Sequence, residues 1–344
     1  MNVATWNQIL DLCRQATGTV NDLIFVGGEK LLFYKHGILD RSDIEISQEF
    51  FDGFLAVLNE GQPFTHDLDR SYATNGERFR INVMKQRGKL KMVARLLPKE
   101  IMPFDKTGLP DLTREYLSGL VNGLVLFTGA TGSGKSTSVA SYLNHMVMRI
   151  PGHFVTLEDP IENFIGEGTG FEYRISQREV GHDVASWDEG LKSVLRQAPK
   201  VIFIGEVRDR SSADKAIEAA STGHLVVSTM HTASAAEAID RILKFYKSDE
   251  LPYILASLAE SLRGVLCQRL EQKTDNKGRI ALYEVCICQG PIKNMIRDGK
   301  VADIRGLMDT GRRHGHMTFD HAYRNAERQG QIPVVANRFG SNNP

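Results

Sequence analysis

Apolar positions in the first hundred residues follow two different periods. Trp6, Ile9, Leu10 and Cys13 recur at helical spacing, as do Phe51, Phe54, Leu55 and Leu58. Around the second of these helices, the runs "DLIFV", "KLLFYK", "RFRINVM" and "KLKMVARL" read as short strands. Residues 1–97 are therefore expected to form a small α+β domain. "LLPKEIMPFDKTGLPDL" follows, with Pro98, Pro103 and Pro110 spaced along it, which predicts a linker over 98–112. From Thr113 strands and helices alternate. "GLVLFTG", "HFVTLE", "VIFIGE" and "HLVVSTM" read as buried strands, and "KSTSVASYLNHMVM", "DRSSADKAIEAASTG" and "SAAEAIDRILKFY" as helices. Strands apolar on both faces between helices predict an open, mostly parallel α/β sheet over residues 113–344. The chain reads as mainly helical from about residue 290, and "VVANRFGSNNP" as a frayed end.

Composition narrows the classes. Across 344 residues, 42 basic side chains balance 42 acidic ones, so no overall field favours nucleic acid or an anionic membrane, and no nucleic-acid partner is expected. Tyr116–Gly134 and Ala219–Ala236 lack Asp, Glu, Lys and Arg, yet Gly, Ser and Thr break both, so no membrane insertion is expected. "MNVATWNQILDLCRQ" lacks a basic start followed by an apolar core, which makes a cytoplasmic location the expectation. Cys13, Cys267, Cys286 and Cys288 are too scattered for a disulfide framework or a four-ligand zinc site.

The strongest chemical signal is "GATGSGKS", Gly129–Ser136, which fits G-x-x-x-x-G-K-[ST] in full. Glycines let backbone N–H groups turn inward around phosphate oxygens; Lys135 can reach the terminal phosphates and Ser136 can ligate Mg2+. A strand before the loop and a helix after it add a helix N-terminus to the cradle. Gly129, Ala130, Thr131, Gly132, Ser133, Gly134, Lys135, Ser136 and Thr137 are thus the expected nucleotide-binding residues. Hydrolysis also needs an acid to position water. Glu206 ends one predicted strand, and Glu158 with Asp159 ends another. The residue before Glu206, where many phosphate-handling enzymes keep an Asp, is Gly205.

Two further features carry charge. His224 and His231 bracket the strand in "TGHLVVSTMHT", and His231, at its C-terminal end, is the better placed to sense a γ-phosphate. In the first domain, a hairpin centred on Arg87–Gly88 would set Arg80 opposite Arg95. Like charges directly opposed cost stability, so the pair suggests an anion bound from outside. Arg178 and Arg208 are alternative arginines in the second domain.

"GATGSGKST", "TLEDPIE", "QREVG", "LRQAPKVIFIGEVRD" and "TGHLVVSTMHTASAAEAIDRI" occur in the order seen in the secretion ATPase superfamily. The chain most closely resembles its PilT-like branch, the type IV pilus retraction ATPases, over about residues 17–325. The resemblance implies a PAS-like first domain joined to a RecA-like P-loop ATPase domain, hydrolysing ATP with Mg2+. It implies a homo-hexamer docked on the inner-membrane platform of a pilus or secretion machine, cytoplasmic and peripheral to that membrane. Thr156–Glu162 is similar to the family's Asp box, with Glu158 and Asp159 as acids that hold Mg2+ directly or through water. Val201–Glu206 is similar to its Walker B motif with Glu206 as catalytic acid, and Thr222–Thr232 to its His box. Arg80 and Arg95 correspond to its arginine fingers.

Departures are local. Ala130 stands where many relatives have Pro, "LLFYKHGIL" replaces the usual hairpin, and the C-terminal element becomes Pro291-Ile292-Lys293-Asn294-Met295-Ile296-Arg297-Asp298. The four-cysteine zinc module and long extra N-terminal domain of extension ATPases are not seen in this sequence. That favours retraction, with a DotB-like ATPase of type IVB secretion or conjugation as the alternative.

Overall fold

Alternation is clearest in β5 (Glu77–Gln86), where Phe79, Ile81 and Val83 are buried while Arg80 and Asn82 lie on the other face. The computed structural model describes residues 8–11, 20–35, 38–65, 67–74, 76–97, 100–311 and 314–335. Trp6, Cys13 and Pro98, and the tail beyond Val335, lie outside the described residues. The chain divides into two compact units, Met1–Glu100 with Asp159–Asn163, and Ile101–Glu158 with Phe164–Pro344.

The first unit is built on a six-stranded antiparallel sheet. Its order is β3 (Ile38–Ile46), β2 (Glu29–Lys35), β1 (Val20–Val26), β6 (Lys89–Leu97), β5 and β4 (Leu68–Thr74). Helix α1 (Gln48–Leu58) starts at Ser47, whose hydroxyl accepts from the Phe50 amide at 3.1 Å. It packs Phe50, Phe51, Phe54 and Leu58 into a core with Leu23, Phe25, Phe79, Ile81, Val83, Met92 and Ala94. The β5–β6 turn is Arg87–Gly88, both with φ above zero (50° and 81°), the geometry that matches strand twist in a two-residue hairpin. That turn sets the register, and Arg80 does face Arg95.

The second unit carries a seven-stranded sheet. Its order is β13 (Arg279–Ile287), β12 (Leu262–Gln272), β7 (Gly123–Thr128), β11 (Leu225–Met230), β10 (Pro199–Ile204), β8 (His153–Glu158) and β9 (Ile175–Glu179). All neighbours pair in parallel except β12 with β13. Apolar side chains alternate between two cores. Leu124, Leu126, Ile202, Ile204 and Val226 enter one; Val125, Phe127, Val201, Phe203, Leu225 and Val227 enter the other. Burial on both faces is why these strands read as unbroken apolar runs.

Helices connect the strands: α2 (Asp111–Ser118), α3 (Lys135–Val147), α4 (Trp187–Val194), α5 (Arg210–Ser221), α6 (Ala235–Leu243) and α7 (Leu251–Ser261). Beyond β13 come α8 (Pro291–Arg297), α9 (Ile304–Thr310) and α10 (Phe319–Arg328). Within the proline-spaced stretch, Phe104 and Leu109 are buried in the core that contains Tyr142. Cys267, Cys286 and Cys288 are buried free thiols. Among the described residues, no helix is long and apolar enough to cross a membrane.

Helix α5 opens with a reciprocal cap. Asp209 Oδ1 accepts from the Ser212 amide at 2.9 Å, and Ser212 Oγ accepts from the Asp209 amide at 3.2 Å. The Ser212 amide bond holds the Asp209 carboxyl below its ordinary range. Asp209→Ala should lower stability by about 1 kcal/mol at neutral pH, measured by urea denaturation. A depressed carboxylate pKa stabilises above the unfolded value of about 3.9 and stops doing so as pH falls through the folded one. The difference between wild type and Asp209→Ala should therefore shrink below about pH 4.

Candidate functional site

The phosphate-type loop leaves β7 at Thr128 and enters α3 at Lys135. Gly129, Gly132 and Gly134 have φ of +143°, +76° and +88°, which side chains rarely adopt. Space forbids them too at the two ends. A Cβ on Gly129 would lie 2.4 Å from the Gln268 carbonyl oxygen, and one on Gly134 would lie 2.7 Å from the Gln268 amide. Lys135 is buried, its ammonium donating to the carbonyls of Gly129 at 2.7 Å and Ala130 at 3.0 Å. Ser133 Oγ is buried with no hydrogen-bond partner, while Ala130, Thr131, Gly132, Ser136 and Thr137 are exposed. A glycine cradle, an orphaned buried hydroxyl and a helix N-terminus with an inward lysine fit a phosphate group.

Parallel pairing brings the other predicted residues to the same sheet edge. Outward from β7 come β11, β10 and β8, about 5, 10 and 14 Å away at normal strand spacing. His231 follows β11, Glu206 follows β10 and Glu158 ends β8. His231 Nε2 lies 3.9 Å from Glu206 Oε1, and the two side chains are 41% and 33% exposed. Glu158 differs: it is buried, and its Oε1 accepts from Thr156 Oγ1 at 2.6 Å and Gln177 Nε2 at 2.8 Å. Asp159 is exposed and begins the segment grouped with the first unit. Water can reach the Glu206 carboxylate, whereas Glu158 is fixed in place. The Ser136 hydroxyl is a hard-oxygen donor of the kind that suits Mg2+, with phosphate and water completing its coordination. No group of three His, Cys, Asp or Glu that could hold a metal by itself occurs among the described residues.

Gly205 now has a reason. A Cβ there would lie 3.2 Å from the Leu157 carbonyl oxygen and 3.3 Å from the Trp187 ring. Its own N–H donates to that same carbonyl at 2.8 Å. An Asp at this position would be crowded by β8 and Trp187, and the next strand's end, at Glu158, carries an acid.

In the first unit, both members of the arginine pair have carboxylate partners of their own. Arg80 donates through Nη2 and Nε to Asp69, at 2.7 and 3.3 Å, and through Nη1 to Glu162 at 3.0 Å. The Asp69 hydrogen bond raises its pKa further. Arg95 donates through Nε to Asp22 at 2.7 Å, its cross-strand neighbour on β1. The repulsion of opposed arginines is met inside the unit by carboxylates distant in sequence.

The remaining candidates have local partners. His224 Nδ1 lies 3.0 Å from the Ala219 carbonyl, at the C-terminal end of α5. Arg178 donates to Ser193 Oγ at 2.9 Å, and Arg208 stacks over the Trp187 ring. Residues that the sequence reading passed over are Gln177 behind Glu158, the acids holding the arginines, and Gln268 behind the loop. Gln268 did leave a signal, as a polar residue within the apolar run "LRGVLCQRL".

The chain resembles known proteins. The sequence model of the type II/IV secretion system protein family matches residues 71–313. The chain is 37% identical over 283 residues to the type IV pilus ATPase PilU of Pseudomonas aeruginosa, covering 81% of this chain and 73% of that one. Among solved structures, it is similar to the pilus retraction motor PilT with bound ADP, at 31% identity and a TM-score of 0.83 over 98% of this chain and 97% of that chain. The Legionella pneumophila ATPase DotB shares the fold, at 24% identity and a TM-score of 0.79 over 97% and 94% of the two chains.

Crowding at Gly205 can be measured. Overpacking costs about 1–3 kcal/mol, and the lost glycine entropy returns about 0.4–1. Gly205→Ala should therefore lose about 1 kcal/mol in urea denaturation. A variant as stable as wild type would show that the strands can part there.

Proposed function

The chain belongs to the type II/IV secretion system protein family, and we propose that it is an ATP-hydrolysing motor that drives type IV pilus retraction. The observation that carries the chemistry is the meeting of Glu206 and His231, 3.9 Å apart, on the sheet edge from which the glycine loop rises. The identity to PilU, a type IV pilus ATPase by name, and the likeness to PilT, a pilus retraction motor by name, support the pathway over the DotB-like alternative, where the likeness is one of fold.

In this reading the loop residues Gly129–Thr137 bind the phosphates of ATP. Lys135 exchanges its bonds to the Gly129 and Ala130 carbonyls for phosphate oxygens. Glu206 orients the attacking water and takes its proton; the nearby His231 holds that carboxylate's direction and senses the terminal phosphate. Mg2+ would be held by Ser136, with Glu158 and Asp159 acting through water, and supplies positive charge against the transferred phosphoryl group. Arg80 and Arg95 act on the nucleotide of a neighbouring copy in a homo-hexameric ring, after release from their carboxylates. The ring works at the cytoplasmic side of an inner-membrane platform.

Two substitutions separate chemistry from binding. Glu206→Gln should lower ATP turnover by at least about 100-fold while ADP binding is kept. Arg80→Ala should lower it by about 1,000-fold, again with binding kept. Full turnover by either variant would remove that residue from the mechanism. Deleting the gene in its host should abolish pilus retraction; loss of conjugation or secretion with retraction intact would move the motor to the other apparatus.

A further inference from the structure

Gln268 is 3% exposed, in the strand that flanks β7 on the side away from Glu206. Its backbone oxygen crowds Gly129 and its side-chain amide crowds Gly134, so one residue backs both ends of the phosphate loop. The amide also starts a buried chain of polar contacts. It lies 2.8 Å from Ser138 Oγ, which lies 2.7 Å from Tyr283 Oη, and Tyr283 donates to the Thr107 carbonyl at 3.0 Å. Ser138, Tyr283 and Thr107 are all buried. Thr107 closes the short turn that begins at Phe104, and the next residue, Gly108, packs against the β13 backbone at Ala281.

Proton counting gives this chain a direction. Three contacts need three protons, and the two hydroxyls supply two. A carbonyl only accepts, so the Tyr283 proton goes to Thr107. As the amide is placed, Gln268 Oε1 accepts from Ser138 Oγ, which uses the serine proton and leaves the 2.7 Å hydroxyl contact with none. Which end of a glutamine amide is the nitrogen is decided by its hydrogen bonds. Turning the amide over, NH2 end toward Ser138, gives every contact one proton: Gln268 would donate to Ser138, Ser138 to Tyr283 and Tyr283 to Thr107. The amide oxygen would then face Gly134 in place of Nε2. Burial pushes the Tyr283 phenol well up, so its proton stays in place.

The geometry points to Gln268 as a positioning residue for the phosphate loop, joined through Ser138 and Tyr283 to the Phe104–Thr107 turn. This deepens the nucleotide-binding reading above and rests on it. A shift of the turn would withdraw the last acceptor, and the chain would pass the change to the amide that shapes Gly134. The effect falls on nucleotide affinity, because the loop must be held open before phosphate arrives.

The test uses the full chain, with ADP titrated by calorimetry and melting temperature recorded for each variant. Gln268→Met keeps the volume and removes the amide; Tyr283→Phe removes the middle hydroxyl, with Ser138→Ala in its place if that variant does not fold. Each should weaken ADP binding about tenfold, and the double variant no more than either single one. Lower melting temperature with ADP affinity within about twofold of wild type would make the chain merely structural, and multiplying effects in the double variant would break the coupling; either overturns the proposal. Lys135→Ala is the control. If it abolishes ADP binding while Gln268→Met binds normally, positioning fails alone; if Lys135→Ala binds like wild type, the nucleotide reading fails and takes this proposal with it.

Discussion

Two close backbone approaches hold the candidate site in shape. At Gly129 the chain leaving β7 passes so near the Gln268 carbonyl that any side chain would collide, and at Gly205 the chain leaving β10 nearly touches the Leu157 carbonyl. Glycine relieves the crowding at both places. The first turn aims α3 so that Lys135 lies beneath its own loop, and the second sends Glu206 clear of β8 into reach of His231. The chemistry is arranged around places where side chains are crowded.

Environment then assigns different work to similar groups. Glu158 and Glu206 both follow buried strands, yet one is buried and bonded by Thr156 and Gln177 while the other stands a third exposed. A carboxylate held by fixed donors is suited to organising what lies around it; one open to water can exchange a proton. Lys135 shows the same logic for a cation. Two carbonyls satisfy it within the loop, so the buried ammonium has hydrogen-bond partners before any phosphate arrives.

Much of this was legible because the relevant signals were local. Strands β7, β8, β10 and β11 are apolar on both faces, and the residues of interest sit where those runs stop. The Arg87–Gly88 turn gave the pairing of Arg80 with Arg95 from eighteen consecutive residues. In the first sheet two strands escaped notice, β3 and β4, and they are its edges; β9, β12 and β13 of the second sheet were missed as well. An edge strand faces water along its length and carries charge, so "ILDRSDIEI" and "LDRSYAT" lose the apolar alternation that marks an inner strand. The partners of Arg80 were invisible for another reason: Asp69 is 11 residues away and Glu162 is 82, distances that no local pattern encodes.

Arg80 is already neutralised where it stands. Asp69 and Glu162 present two negative charges to its one positive charge, so at long range this patch carries no excess of positive field. An approaching phosphate is not drawn in by it, and screening by salt has little attraction to weaken. In the proposed role its engagement would be a trade of partners at contact distance, the guanidinium's planar fork leaving two carboxylates for another anion of similar geometry. Such an exchange is governed by fit and by what becomes of the abandoned acids, and a misaligned neighbour leaves the arginine at rest.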